Sequence, residues 1–292
     1  MKSVTPSSRP LLYVLYAIVL TLILLYLRFP KEKFKIFCEN QVEQLFTDSS
    51  CSITDIGYSF PAAIVFEKVK IGKTEGEQQS IVAVDQIKIH PGIKFWSTFK
   101  IGGKLYSGTL KASLIVDRAE KNYRLVDIVF NNLNLDEIVK DQGILNRKVT
   151  GNLGGSGNFQ AQWATPIKGQ GKAQIKISSG SLEFLQPVLS LTALRYDQIS
   201  FDMSYTEQLD IGTGKLKGAD INAEFEGNVN IMTSLLTSRV NMSGLLEPRR
   251  EFLQTHPLEA KMVKQYAARY KRSALPFKLG GTVSNPTFRF SR

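Results

Sequence analysis

The sequence predicts a mainly β protein, in which an N-terminal transmembrane helix precedes an elongated, curved antiparallel sheet with a few short covering helices. Residues 11–27 form an uninterrupted apolar run. After residue 50, apolar and polar residues alternate with period two over most of the chain, and Gly, Asn and Pro separate the alternating segments. We therefore expect a tail and signal anchor over 1–30 and a β-rich domain over 31–292.

The apolar run 11–27 reads LLYVLYAIVLTLILLYL and contains no charge, glycine or proline. At about 1.5 Å per residue, such a run is just long enough to cross a hydrocarbon core. A core helix would carry a polar face, whereas here only Thr21 is strongly polar. No small-residue cleavage site follows in RFPKEKFK, so we predict a retained anchor. The apolar residues taken to form it include Leu11, Val14, Ile18, Leu22, Leu25 and Leu27.

The charge around this segment leaves its orientation open. Counting Lys and Arg slightly favours a cytoplasmic C-terminus, but the margin is about one charge once the N-terminal amine is included. The residues counted are Lys2 and Arg9 before the run, and Arg28, Lys31, Lys33 and Lys35 after it.

The net charge of +11 has three possible meanings: a solvated basic surface, contact with anionic lipid, or contact with nucleic acid. The sequence contains no compact Lys/Arg run. Its densest patches are Arg28–Lys35, Arg249–Arg250 and Lys261–Arg272. A solvated surface is the default interpretation. Among ligands, spread charge beside a membrane anchor favours the lipid bilayer, and we expect no nucleic-acid partner.

The chain has two cysteines, Cys38 and Cys51, at the two ends of a predicted helix–loop element. In an oxidising compartment a disulfide between them would close a loop and contribute up to about 3 kcal/mol. Two unlinked, small hydrophobic side chains are the alternative, and both remain open. Neither cysteine has a nearby histidine, since His90 and His256 each precede a proline far along the chain. Metal binding and thiol catalysis are therefore not expected.

Helices are predicted at three places in the domain. Residues 33–46 place Phe34, Phe37, Cys38, Val42 and Leu45 at helical spacing, which predicts an amphipathic helix. A short helix is predicted at Leu135–Lys140. A late helix near Leu258–Lys271 begins after Pro257. Its expected sheet-facing stripe is Leu258, Met262 and Tyr266.

Strands are predicted nearly everywhere else, and short turns between alternating strands favour antiparallel pairing. SITDIGYSF precedes Pro61, and segments such as AIVFEKVKIG and RLVDIVFNNLNL follow. A looser, glycine-punctuated series occupies the second half without a fixed period. Its inner face is expected to include Ile175, Ile177, Leu182 and Phe184.

The motifs of common enzymes are absent from the sequence: there is no G-x-S-x-G, H-E-x-x-H or P-loop, and no clustered His, Asp and Glu. GNLGGSG lacks the Lys-Ser/Thr of a phosphate loop, which favours a flexible turn. Paired carboxylates that cleave glycosides are the one enzymatic alternative left open, and no residue pattern favours them. We predict a protein that is not an enzyme, with no cofactor and no metal.

A known family has the same order of elements: anchor, amphipathic helix, a strand ending at Phe60–Pro61, a long β-meander, a late helix and the closing segment LPFKLGGTVSNPTFRF. That closing segment resembles the end of AsmA-like proteins of the Gram-negative envelope. In size and layout the chain is most similar to the N proteins of the type II (general) secretion pathway. The residues of the closing motif are Gly280, Gly281, Asn285, Pro286, Phe288 and Phe290.

The resemblance implies a single-pass inner-membrane protein whose C-terminal domain is periplasmic, and this decides the orientation against the charge count. It implies a non-catalytic component of the type II secretion system that supports assembly or export, with the bilayer and other secretion subunits as partners. The alternative is an AsmA-like module that binds or transfers lipid, with phospholipid in a sheet groove. A continuous apolar trough would favour lipid, whereas a closed core would be filled by Phe130, Phe159, Trp163, Phe184, Phe201 and Phe225.

The closing motif is expected to form the final strand pair, joined by a turn at Ser284–Pro286. Pro286 fixes its own φ and favours an extended Asn285, which sets where the first strand stops. Phe288 and Phe290 are expected to face inward, with Thr287, Arg289 and Ser291 towards solvent.

Overall fold

The computed structural model describes residues 12–17, 20–21, 30–45, 49–59, 63–75, 78–92, 97–165, 168–232, 235–270 and 274–291. The chain is mainly β, as predicted, and its strands form one open antiparallel sheet. The strands are β1 Ser49–Ser59, β2 Ala63–Glu75, β3 Gln78–Pro91, β4 Thr98–Leu105, β5 Gly108–Asp117, β6 Asn122–Asn134, β7 Val149–Gln162, β8 Gly169–Val188, β9 Leu191–Tyr205, β10 Leu209–Gly218, β11 Ile221–Asn230, β12 Arg239–Pro248, β13 Leu275–Gly281 and β14 Pro286–Phe290. The helices are α1 Lys31–Leu45, α2 Leu135–Asp141, α3 Arg250–Thr255 and α4 Pro257–Tyr270.

The sheet is a meander in which the spatial order of the fourteen strands equals their order in the chain. Each strand pairs with the strand before it and the strand after it. β1 and β14 are therefore the two edges of the sheet.

The predicted anchor lies mostly outside the described residues. Residues 12–17 and 20–21 are helical with exposed side chains, and Val14 is among them. In the described part of the chain, no helix has the length and apolarity needed to cross a bilayer. Leu11, Ile18, Leu22, Leu25, Leu27 and the Phe60–Pro61 motif fall outside the description, so the anchor stays a prediction.

Helix α1 covers the first end of the sheet. Phe34, Cys38 and Val42 recur every four residues, so they share one side of the helix and pack together on the sheet. Phe37 and Leu45, predicted on the same stripe, are exposed instead. The cluster beneath Phe34, Cys38 and Val42, called the N-terminal cluster, is centred on Cys51, Ile53, Ile56 and Val69.

The same helix also occupies the outer edge of β1. The Glu39 carboxylate accepts a hydrogen bond from the backbone N–H of Ile53 at 2.8 Å, and Glu43 accepts one from Cys51 at 3.0 Å. These N–H groups point away from β2. Two donors that another chain could otherwise pair with are thus satisfied internally.

Helix α2 lies beyond the turn of the short hairpin β4–β5. It contacts β3 on one side of that hairpin, and β6 and β7 on the other. The Asn134 side chain caps it by accepting from the N–H of Asp136 at 3.0 Å, and Lys140 pairs with Asp136 at 2.6 Å. A helix stands where the sequence predicted one.

Helices α3 and α4 cover the apolar side chains at the other end of the sheet, which we call the C-terminal cluster. Phe252 and Val263 are buried there against Leu246, Leu275 and Phe277. The apolar side chains of the β8–β9 hairpin join the same cluster.

The face that α4 turns to the sheet differs from the expected stripe. Tyr266 does pack against the C-terminal cluster, but Leu258 is 75% exposed and Met262 is 57% exposed. The buried positions of the helix are Glu259 and Val263 instead. The hydroxyl of Ser190 in the β8–β9 turn donates to the Glu259 carboxylate on this side of the helix.

A bulge in β8 keeps its apolar residues on one face. Asn152 faces Ser178 and Thr150 faces Ser181, so β8 has one more residue than β7 over this stretch. Ser179 takes a positive φ of 51° there. The extra residue restores Leu182 and Phe184 to the face of Ile175 and Ile177, which agrees with the expected inner face.

The sheet curls strongly between β7 and β13. Asn146 and Arg147, just before β7, donate to the backbone carbonyls of Ser284 and Val283 in the β13–β14 turn. These strands are six positions apart in the sheet. In a flat sheet they would be separated by roughly 29 Å. The contact therefore requires a bent sheet.

Candidate functional site

One row of cross-strand neighbours runs through all fourteen strands and contains only apolar residues and glycine. Consecutive members are directly paired, except at a bulge in β10, where the rings of Phe201 and Phe225 meet across the strand at 6.2 Å. We call this the apolar row. From β1 to β14 its members are Ile56, Phe66, Ile87, Gly103, Leu110, Phe130, Gly155, Ile175, Phe201, Gly214, Phe225, Gly244, Phe277 and Phe290.

Glycine alternates with phenylalanine along much of the apolar row, and the rings lie over the glycines. A Cβ added to Gly155 would stand 2.7 Å from the Cζ of Phe130, and one added to Gly244 would stand 2.9 Å from the Cε1 of Phe277. Each ring fills the space of the missing side chain. The rings therefore lie along the sheet and form a shallow, continuous apolar floor.

The apolar row is buried at Ile56 in β1 and at Phe277 in β13, but not in its middle or at Phe290 in β14. Ile56 is 1% exposed in the N-terminal cluster, and Phe277 is 8% exposed in the C-terminal cluster. Leu110, Phe130 and Phe201 are only half-buried, and none of them belongs to either of the two helix-covered clusters. This open section, from β5 to β9, spans four strand spacings, or roughly 19 Å.

The aromatic residues considered for a closed core do not form one in the described structure. Phe130, Phe159, Phe201 and Phe225 are half-buried, and Trp163 is 45% exposed. Phe159 lies between Tyr123 and Tyr205, with ring centroids 6.3 and 6.4 Å away. Phe184 packs at the margin of the C-terminal cluster. Phe130, Phe201 and Phe225 are members of the apolar row itself, and Phe159 extends the floor beside it.

The opposite face of the same strands is polar. It holds a trough of about 950 Å³ across β6 to β10, lined by side chains that include Gln174, Lys176, Asp202 and Lys215. A second trough of about 670 Å³ adjoins it, shares Ser156, Gln174 and Asp202, and is also lined by Val126 and Val129. Asp202 is the one acid in the lining of the first trough, so no pair of carboxylates meets there. Within the described residues no metal-binding group of three His, Cys, Asp or Glu is assembled.

The closing motif forms the strand pair β13–β14 at the edge of the sheet. Gly280 and Gly281 end β13, and Gly281 adopts a φ of +87°. Asn285 closes the turn, since its N–H donates to the hydroxyl of Thr282 at 3.1 Å. Pro286 then opens β14.

The two phenylalanines of β14 differ in their surroundings. Phe288 stacks on Phe277 with a centroid distance of 5.4 Å, as an inward ring should. Phe290 lies on the same face but remains 41% exposed, so the expected burial of both rings is wrong for this one. β14 stands at the edge of the sheet, and among the described residues no strand pairs with its outer side next to Phe290.

The two cysteines are free thiols that belong to one cluster. Cys51 is buried in the N-terminal cluster, and Cys38 packs against it from α1. Burial, and then the carboxylates of Glu39 and Glu43, raise the pKa of Cys51 to about 11. Burial also raises the pKa of Cys38. Both thiols are therefore protonated and unreactive near neutral pH.

Comparisons of the chain with protein-family models, with curated proteins and with solved structures gave no match. The apolar row and its open middle are therefore the observations from which a function has to be inferred. The sequence carries a signal for them, because glycine and phenylalanine recur at similar places in successive strands. Their alignment into one row becomes visible only through the register.

Replacing Gly155 with alanine is expected to destabilise the domain by about 1–3 kcal/mol, the usual cost of overpacking. The new Cβ would press on both the Gln174 carbonyl oxygen and the Phe130 ring. Gly102→Ala is the matched control, since its Cβ would meet nothing within 4 Å. Chemical denaturation of the full-length variants in detergent measures the difference. Equal stability of the two variants would show that the ring does not lie over Gly155.

Alkylation of Cys51 by iodoacetamide is expected to accelerate about tenfold per pH unit between pH 7 and 10, because its pKa of about 11 keeps the thiolate scarce throughout. The measurement uses reduced Cys38→Ser protein, with circular dichroism to verify folding at each pH. The denatured variant is the control and should level off above its ordinary thiol pKa of about 8.5. A folded protein that levels off at the same pH would contradict the raised pKa.

Proposed function

We propose that this chain is a non-catalytic, membrane-anchored protein whose sheet binds the acyl chains of lipids. The observation that carries the proposal is the uncovered middle of the apolar row. Exposed apolar area is unfavourable in water by about 25 cal/mol per Å². A ligand that covers this floor would be stabilised in proportion to the area it removes from water.

The side chains of the apolar row determine which class of ligand could bind there. The apolar row has no side chain that can donate or accept a hydrogen bond, from β1 to β14. Recognition must therefore be non-directional, which suits a hydrocarbon chain, at about 0.8 kcal/mol for each buried CH₂. The open section of roughly 19 Å compares with about 15 Å for the chains of one leaflet of a bilayer.

The proposed location is the inner membrane, with the sheet in the periplasm. The apolar run 11–27 supports an anchor. Helix α1 supports contact with the lipid surface, because Ile36 and Phe37 are exposed on its outer side. Lys33 and Lys35 stand beside them in the sequence, and lysines favour an anionic bilayer.

A role as a component of the type II secretion system is the second proposal. It rests on the resemblance of the closing motif to AsmA-like proteins and of the size and layout to the secretion N proteins. The structure contributes one observation in its favour: the hairpin β13–β14, which contains the motif, stands at the free edge of the sheet. Other secretion subunits could reach it there.

Ile175→Lys is expected to reduce the lipid that co-purifies with the full-length protein in mild detergent by several-fold. The substitution places a charge in the centre of the apolar floor. Gln174→Lys is the matched control, because it adds the same side chain one residue away on the opposite face of β8. Mass spectrometry of the purified proteins quantifies bound phospholipid.

The same samples separate the two proposed functions. Equal lipid in the wild type and both variants, or none in any, would overturn lipid binding by the apolar row. Secretion subunits that co-purify with the wild type would support the second proposal independently of lipid.

A reporter that is active only in the periplasm is expected to be active when fused after Arg292. The matched control is a reporter that is active only in the cytoplasm, fused at the same position. Activity of the cytoplasmic reporter alone would reverse the proposed topology and agree with the simple charge count.

A further inference from the structure

The two edges of the sheet are treated differently. At β1, Glu39 and Glu43 of α1 occupy outward N–H groups. At β14, the N–H of Ser291 donates to the backbone carbonyl of Pro276 on β13 at 2.9 Å. Successive residues of a strand point their backbone groups alternately to opposite sides, so this bond shows which residues of β14 face β13. The backbone groups of Phe288 and Phe290 consequently point outward. None of the described residues bonds to them.

The polar face of this open edge is positively charged. Lys278 on β13 lies directly opposite Arg289 on β14, and both side chains are exposed. Like charges at directly opposed positions destabilise a strand pair. No carboxylate in the described structure forms an ion pair with either residue.

We propose that β14 accepts one further strand from a partner protein, an extended segment in which apolar and acidic residues alternate. Its backbone would pair with the outward groups of Phe288 and Phe290. Its apolar side chains would cover the exposed side of Phe290 and extend the apolar row. Its acidic side chains would lie beside Arg289 and offset the repulsion from Lys278.

The geometry favours a different protein over a second copy of this chain. Pairing two β14 strands would bring Arg289 and Lys278 of both copies together on one polar face. Joining β14 of one copy to β1 of another is opposed by α1, which already occupies the β1 edge. Pro286 has no N–H, so the accessible donors are confined to Phe288 and Phe290. This surface is separate from the open middle of the apolar row, and the inference does not depend on lipid binding.

The first test measures binding of the full-length protein, in detergent, to a fluorescent peptide in which valine and glutamate alternate. Two N-methylated forms of the peptide are compared, one blocked at the valine nitrogens and one at the glutamate nitrogens. In a paired strand, either the valine N–H groups or the glutamate N–H groups face β14, and the other set points away. We expect one form to lose binding and the other to keep it. Equal binding by both forms, or no binding of the parent peptide, would overturn the inference.

The second test reverses the charge of the edge. Arg289→Glu is expected to weaken the valine–glutamate peptide about fivefold and to strengthen a valine–lysine peptide by a similar factor. Lys217→Glu is the matched control, since Lys217 is also exposed on a strand, but in β10 away from the edge. An unchanged preference in Arg289→Glu, or the same change in Lys217→Glu, would contradict the charge argument. Light scattering measures the oligomeric state of the wild type. If the wild type is a dimer and the peptide dissociates it, the edge of β14 pairs with a second copy of this chain instead.

Discussion

The register of the fourteen-stranded meander is the constraint on which the rest of this structure depends. Side chains alternate between the faces of a strand, so a slip of one residue would turn the apolar set of that strand towards the polar face. The apolar row exists because every hairpin keeps its register. Where a strand has an extra residue, as at Ser179 in β8, a bulge returns the following residues to the correct face.

The glycines of the apolar row have a second effect, on the shape of the sheet face. In the apolar row, Gly155, Gly214 and Gly244 lie beside phenylalanines whose rings occupy the space above them. A sheet face built only from upright side chains would be ridged. Here the rings lie along the sheet, and the floor is shallow and continuous. Such a face offers area without directional groups, which suits a flexible hydrocarbon better than a polar ligand.

The helices finish the two ends of the sheet in different ways. Helix α1 covers the N-terminal cluster and also caps the edge of β1 through its two glutamates. Helices α3 and α4 bury the C-terminal cluster but leave the edge of β14 unpaired within the described structure. The middle of the apolar row is thus left half-buried outside both helix-covered clusters, and Phe290 in β14 is left exposed. These are the places where we propose lipid and a partner strand.

The sequence by itself determined the class of the fold and most of its elements, because period-two alternation, turn residues and helix caps act over a few neighbouring residues. It also placed Ile175, Ile177, Leu182 and Phe184 on one face. It could not show which residues of distant strands align, because register depends on turn lengths and bulges added over the whole meander. Only the tertiary structure decided that Glu259, rather than Leu258, faces the sheet, since the bond from Ser190 joins residues 69 positions apart. It likewise decided that the β1 edge is capped and the β14 edge is open, because a strand's outward N–H groups are satisfied only by elements that the folded chain brings beside them.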